Sequence, residues 1–267
     1  MILHEGFALR QSAFKNLLDY ALSSLLTLSL VVLFFAVWQF ASLYVSEVIL
    51  PKPLNTLEVL WQKGDVGAVL LTLKRALTAI FFAYFGGVCL GILAANFKTF
   101  ARAVKPFIDI LQGIAPIAWV VLALFWFGVG DFSVVFTCFV TLLPLSFGAT
   151  FASIWQLDEG LSEVCKAYKF GFCKKMRLFW LPSILPFLLS NLSIVFAMGV
   201  KIAVMSELLG ASDGVGAKIF EARNFLDAEL IFTYIIIMVA VILLFEALII
   251  KPLKIIFLPW QQRGANV

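Results

Sequence analysis

The chain is predicted to fold as an all-α polytopic membrane bundle of about six transmembrane helices, with a cytoplasmic loop that carries a helix of its own. Three observations predict this. Of the 267 residues, 63% are apolar and only 13% charged, with a mean hydropathy of +1.04. A soluble domain is typically about half apolar and about a quarter charged, so this chain has more apolar surface than one interior can hide. Long apolar runs recur along the sequence, and the basic residues fall unevenly between the segments that join them.

A helix crossing the hydrocarbon core, about 30 Å thick, needs roughly 20 mostly apolar residues. Such runs lie at 24–46, 76–96, 114–130, 132–154, 185–206 and 231–250. The third is short and leads into the fourth through Phe127-Gly128-Val129-Gly130-Asp131, a tight turn. The expected organisation is a cytoplasmic segment at 1–23, a membrane domain at 24–250 with its large loop at 155–184, and a cytoplasmic tail at 251–267. No small-residue cleavage site follows the charged first 23 residues, so a removable signal peptide is not expected. Pro51-Lys52-Pro53 opens an outer segment with a short amphipathic helix around 56–62. Gly87 and Gly91 give the second run a small-xxx-small spacing that favours close helix contact in lipid. Pro182 and Pro186 bracket the start of the fifth, where a missing N–H is tolerated.

Orientation follows from lysine and arginine. With the N-terminus inside, the cytoplasmic segments hold Arg10, Lys15, Lys98, Arg102, Lys105, Lys166, Lys169, Lys174, Lys175, Arg177, Lys251, Lys254 and Arg263. The other side holds Lys52, Lys63, Lys74, Arg75, Lys218 and Arg223. Both termini are therefore expected in the cytoplasm. The basic residues are dispersed, which does not suggest nucleic-acid binding. Cys89, Cys138, Cys165 and Cys173 form no CxxC pair, and His4 is the single histidine, so neither a disulfide framework nor a metal site is expected.

Within the loop, Leu157, Leu161, Val164 and Tyr168 recur at helical spacing, flanked by Gly160 and Gly171. An apolar stripe on an otherwise charged helix outside the membrane needs a partner surface, or else lies flat on the lipid headgroups.

This loop resembles that of binding-protein-dependent ABC importer permeases, which carry Glu-Ala-Ala-x-x-x-Gly followed at an interval by Ile-x-Leu-Pro. Here the stretch is Glu163-Val164-Cys165-Lys166-Ala167-Tyr168-Lys169, closing on Phe179-Trp180-Leu181-Pro182. The glutamate and the Leu-Pro match; Val164, Cys165 and Lys169 depart from the pattern, and Gly171 is placed to supply the bend. Further stretches resemble the nitrate, sulfonate and taurine branch of that family. They are Leu50-Pro51-Lys52-Pro53, the run from Pro116 to Trp126-Phe127-Gly128-Val129-Gly130, and Glu207-Leu208-Leu209-Gly210-Ala211-Ser212-Asp213-Gly214-Val215-Gly216. Glu221-Ala222-Arg223-Asn224-Phe225 and Leu258-Pro259-Trp260 complete the set.

The resemblance implies a type I importer fold in the bacterial cytoplasmic membrane and no covalent chemistry on this chain. It implies ATP bound by a separate ATPase subunit in two copies, a second permease copy, and an extracytoplasmic solute-binding protein. It assigns ATPase coupling to Leu157, Leu161, Glu163, Val164, Cys165, Ala167, Tyr168, Lys169 and Gly171. Without it, Glu163 reads as a solvated carboxylate or a partner of Lys166 one turn on. No GxxxxGK[ST] phosphate loop occurs in the chain, consistent with an ATPase on another polypeptide.

Lys201 is the one strongly charged residue well inside an apolar run. It costs roughly 3 kcal/mol at a helix centre unless it snorkels or pairs. Two readings stand: a lysine that snorkels toward Glu207, about 9 Å along the helix, or a cationic lining for an anionic solute. Lys201 and Glu207 are the candidates for the substrate path; Glu207 and Arg223, in family-like positions at the outer mouth, have two other readings, facing the binding protein or satisfying the loop 207–230. Glu246 is expected to reach the interface or Lys251. The competing function is an ion-coupled secondary carrier, which normally shows a repeat pair and broken helices with polar groups at mid-membrane. An intramembrane enzyme needs a catalytic set such as His/Asp or Ser/Lys at matched depth, and the single histidine, His4, with no paired carboxylates inside the runs argues against one.

Overall fold

The computed structural model describes residues 25–26, 29–156 and 181–257, whose regular elements are all helical. In chain order they are α1 (Ser29–Tyr44), α2 (Pro53–Lys63), α3 (Val66–Asn96), α4 (Lys98–Gly113), α5 (Pro116–Phe127), α6 (Asp131–Trp155), α7 (Leu181–Gly210), α8 (Val215–Asn224), α9 (Ala228–Phe245) and α10 (Lys251–Phe257). A π-helical turn, Glu246–Ile250, joins the last two. The loop residues Leu157, Leu161, Glu163, Val164, Cys165, Ala167, Tyr168, Lys169 and Gly171 lie outside the described residues.

Contacts divide the chain into two units. The smaller comprises the chain up to Lys63 together with Leu226–Thr233. In it, the Trp38 indole donates to the Pro51 carbonyl at 3.1 Å and its ring meets Phe232 at 5.5 Å between centroids. The Thr233 hydroxyl donates to the Thr56 carbonyl at 3.1 Å, and Asn55 Nδ2 to Glu229 Oε1 at 3.4 Å. The predicted short helix is α2, which Pro53 opens at a position where its absent N–H costs nothing.

The larger unit, Gly64–Phe225 with Tyr234 onward, is built on α3, α6 and α7. α3 and α6 run side by side in the same direction, in register from Gly87 against Ser146 to Gly91 against Thr150. A Cβ on Gly87 would stand 2.6 Å from Ser146 Cβ and 2.8 Å from the Leu143 carbonyl, and one on Gly91 would stand 2.9 Å from Thr150 Cβ. The glycine spacing therefore does what it predicts, bringing the two backbones together where dispersion replaces the hydrophobic effect as the attraction. α7 runs opposite. Gly199 sits against Ile80 and Leu142, and further along Tyr84 donates to the Leu188 carbonyl at 2.8 Å. Ile184 and Leu188 pack with Ile154, Val88 and Ile92.

Four helical stretches are long and apolar enough to cross a membrane: α3, α6, Ser183–Gly210 of α7, and Ala228–Phe257. The third predicted span differs. Its described form is α5, 12 residues and thus about 18 Å long, too short to cross alone. It is bent 94° from α4, and together they count as a broken span or a re-entrant segment. The breaker is Pro116, which starts a new helix, and the residue before a proline is pushed out of the α region; Ala115 is extended accordingly. α4 itself is amphipathic, burying Ile108 with Phe100, Ala101 and Val104 against Ala94, Phe147 and Phe151.

Two boundaries also move. α3 begins ten residues before the predicted 76, because the Asp65 side chain caps it by accepting from the Ala68 N–H at 3.2 Å. Lys74 and Arg75 are thereby helical residues, not loop residues. The last helix runs on past 250 to Phe257; the widened π turn ends at Ile250, two residues before Pro252, which cannot donate to an ordinary ladder.

Candidate functional site

Two features of the larger unit bring polar chemistry into the apolar bundle. The first is a cavity of about 310 Å³ lined by residues of α4, α5, α6 and α7, among them Gln112, Pro116, Thr141, Met198, Lys201, Ile202 and Met205. The α4–α5 break supplies one wall, for Gln112 ends one helix and Pro116 begins the next. Lys201 is exposed on α7 between the buried Val200 and Ile202, and it lines this cavity with Met198, Ile202 and Met205 of the same helix. Among the described residues it forms no ion pair or hydrogen bond. The cavity thus offers one ammonium, one amide and one hydroxyl in an otherwise apolar lining. That is a combination suited to an anion with a small apolar body.

The second feature lies one end of the bundle further on. Arg75 of α3 is 2% exposed, yet all five of its N–H donors are engaged. Nε donates to Asp131 Oδ1 at 2.8 Å, and Nη2 contacts the same oxygen. Nη1 donates to Glu207 Oε1 at 2.9 Å and to the Asp213 carbonyl at 3.0 Å, and Nη2 to Asp213 Oδ1 at 2.6 Å. Glu207 is wholly buried; its other oxygen accepts from the Thr72 hydroxyl at 2.7 Å and the Gly216 N–H at 3.1 Å. Thr72 in turn accepts from the Val215 N–H at 2.9 Å. One guanidinium so ties the start of α3, the start of α6, the end of α7 and the segment leading to α8.

Glycine is required in that segment. Gly214 has φ +93°, and a Cβ there would stand 2.5 Å from Glu207 Oε1; a Cβ on Gly216 would stand 2.3 Å from the Val204 carbonyl. Across the turn before α6, Gly128 has φ +74°, and the Gly130 N–H donates to the Gly210 carbonyl at 3.1 Å.

Of the two residues the sequence proposes for the path, Lys201 lines the cavity. Glu207 does not: both its oxygens are consumed inside the protein, and Arg75, not Lys201, is its partner. Arg75 and Asp131 escaped sequence reasoning because each sits at the edge of an apolar run and passes for a loop charge. The available signal was an arginine and two acids on one predicted side, each within a turn of a span. Glu246 likewise differs from expectation, since it accepts a hydrogen bond from Ser193 on α7 instead of meeting Lys251. On α8, Glu221 at 3.1 Å holds the Lys218 ammonium above the ordinary lysine range. No cluster of His, Cys, Asp or Glu among the described residues has the arrangement of a metal site.

Several apolar helices long enough to cross a membrane, packed beside a mostly apolar cavity that carries three polar side chains, mark a polytopic membrane protein. Comparison with known proteins makes the assignment specific. Residues 87–250 match the family described as binding-protein-dependent transport system inner membrane component, and the chain belongs to that family. The chain is 27% identical to the taurine transport system permease protein TauC of Escherichia coli, over 91% of this chain and 92% of that one. It is 24% identical to the nitrate import permease protein NrtB of Synechococcus elongatus, over 72% and 74%. To the putative aliphatic sulfonates transport permease protein SsuC of Bacillus subtilis it is 28% identical, over 77% of each. Among solved structures, the MetNI methionine ABC transporter in an inward-facing conformation superposes with a TM-score of 0.63 at 20% identity, covering 70% of this chain and 94% of that one. The chain has the fold of an ABC importer permease and is a multi-pass inner-membrane protein whose relatives are permeases of the nitrate, sulfonate and taurine systems.

Proposed function

We propose that this chain forms the translocation path for a small organic or inorganic anion of the nitrate, sulfonate or taurine kind. The observation that carries the anion is Lys201, an ammonium without a partner among the described residues, on the wall of a cavity that also presents Gln112 and Thr141. An intramembrane lysine is costly, so one held at a cavity and away from a partner acid has a function by default. Transport is driven by ATP on a separate pair of ATPase subunits, and the solute arrives on an extracytoplasmic binding protein. Two copies of the permease assemble side by side. Both termini face the cytoplasm, so the Arg75 knot faces outward.

Coupling runs through the 155–184 loop as a helix laid in a groove of the ATPase. Leu157, Leu161, Val164 and Tyr168 supply the apolar stripe, and Glu163 pairs at its rim. Cys165, Ala167, Lys169 and Gly171 complete the segment. Support comes from family membership together with the spacing of the stripe.

Reconstitution of the permease with its ATPase and binding protein tests the function. ATP-dependent uptake is expected for taurine, an alkanesulfonate or nitrate and not for a cationic solute of similar size. Uptake by the permease alone down an ion gradient would establish the secondary-carrier alternative instead.

A further inference from the structure

We propose that α4 carries a binding site for the headgroup of an anionic phospholipid, with Lys98, Arg102 and Lys105 as its ligands. The site is independent of which solute is carried; only its assignment to the cytoplasmic leaflet rests on the orientation proposed above. Three stripes of helical spacing run along α4. Ala101, Val104, Ile108 and Leu111 form the packed one. The first three meet Ala94 of α3 with Phe147 and Phe151 of α6, and Leu111 faces the cavity. Lys98, Arg102 and Lys105 form the second, continued by Asp109 and Gln112, and all five are exposed. Ala103, Phe107 and Ile110 form the third, with Phe107 70% and Ile110 60% exposed.

The bundle fixes where this helix lies. α3 ends at Asn96 and α6 at Trp155, and the pairing of Gly91 with Thr150 brings those two ends to one level. α4 starts there and packs on Ala94 and Phe151, close to both ends. Trp155 is 71% exposed, as an aromatic at headgroup level would be. Residues 128–130 fold α5 back along α6, where the Thr137 hydroxyl donates to the Trp119 carbonyl at 3.5 Å. Because α4 is bent 94° from α5, it crosses the end of the bundle instead of running along it. A helix so placed, with cations on one stripe and exposed apolar residues on another, fits the boundary between headgroups and acyl chains. Three cations against one acid, Asp109, leave α4 basic. Lys98 and Arg102 make no ion pair or hydrogen bond among the described residues, and Lys105 stands over the Phe151 ring at 5.8 Å. The Arg102 fork can meet a phosphate with two parallel bonds, and the lysines add point charge. A free phosphate would satisfy the cations but leave Phe107 and Ile110 in water; a phospholipid covers both.

The test uses the full-length chain, delipidated in neutral detergent, with lipid binding read by native mass spectrometry. The probes are phosphatidylglycerol and phosphatidylcholine with identical acyl chains, and glycerol phosphate as the soluble headgroup. The parent is expected to prefer phosphatidylglycerol by about tenfold or more, since each basic residue at a membrane surface is worth about fivefold. Lys98→Gln, Arg102→Gln and Lys105→Gln together are expected to remove that preference, whereas Lys251→Gln with Lys254→Gln is expected to keep it. The three α4 side chains are exposed, so their replacement spares folding, which a melting curve checks. A preference that survives the triple variant would overturn the proposal and leave the stripe to a protein partner or to water. Equal loss in the Lys251 and Lys254 variant would overturn it too, by showing attraction to basic charge in general. So would glycerol phosphate binding as tightly as the lipid, because the apolar stripe would then contribute nothing. None of these readouts needs a transported solute, so they stand apart from the test of the anion path.

Discussion

Replacing Arg75 by methionine removes the one cation from a cluster of three acids. The consequences differ sharply among those acids. Asp131 and Asp213 are more than half exposed and fall back on water. Glu207 cannot, since no part of its side chain reaches solvent and only Thr72 and the Gly216 N–H remain to hold its charge. Stranding one partner of a buried pair costs about 3–5 kcal/mol, and Arg75→Met is expected to cost that much. Glu207→Gln is milder, about 1–2 kcal/mol, because its carbonyl still accepts from Gly216 and the guanidinium keeps two acids. The double variant is the decisive one. With the arginine already gone, Glu207→Gln removes the stranded charge, so the double variant is expected to be about 2 kcal/mol more stable than Arg75→Met alone. Denaturant or thermal unfolding of purified protein in detergent measures all three. A double variant less stable than Arg75→Met by the full Glu207→Gln cost, and so below the parent by the sum of the two single costs, would refute the reasoning, because independent sites add.

Further outcomes follow from the same geometry. Gly87→Val places methyl groups inside the Ser146 and Leu143 backbone contact and is expected to cost about 1–3 kcal/mol or more by overpacking, whereas Gly148→Ala, with open space around it, is expected to be neutral in the same unfolding assay. Gly214→Ala combines a left-handed backbone with a collision against Glu207 and is expected to lower the melting temperature more than Gly113→Ala. For the coupling loop, Glu163→Ala or Tyr168→Ala is expected to weaken co-purification with the ATPase subunit or to leave ATP hydrolysis running without transport. Unaltered coupling in both removes the loop from that role. Phe170→Cys and Phe220→Cys are expected to react with impermeant reagents from opposite sides of the membrane, and reaction from one side reverses the proposed orientation.

Much of the fold was legible from apolar run length, because a bilayer enforces it. The runs at 132–154 and 185–206 lie within α6 and α7, and Gly87 with Gly91 marked the α3–α6 contact correctly. Run length failed where local chemistry intervened. Pro116 cut the third run into a short helix bent from α4, and the Asp65 cap carried α3 outward past its apolar part. The cavity was half visible: Lys201 stood out by its cost, but Gln112 and Thr141 are ordinary residues whose convergence needs the α4–α5 bend. The Arg75 knot was hidden for a different reason. Charge counting treats a basic residue at a span edge as solvated, and only the partners brought in by α6, α7 and the segment before α8 make it an interior group.

The most direct measurement is ATP-driven uptake by the reconstituted importer carrying Lys201→Gln, Lys201→Arg or Lys201→Glu, with the binding protein and ATPase unchanged. If the ammonium draws an anion through the cavity, the arginine variant retains most of the flux. The glutamine variant loses roughly tenfold or more, equivalent to ~1.4 kcal/mol, and the glutamate variant loses the most. Equal uptake by all three, with the complex intact and its ATPase still stimulated by the binding protein, would contradict a charged path at Lys201.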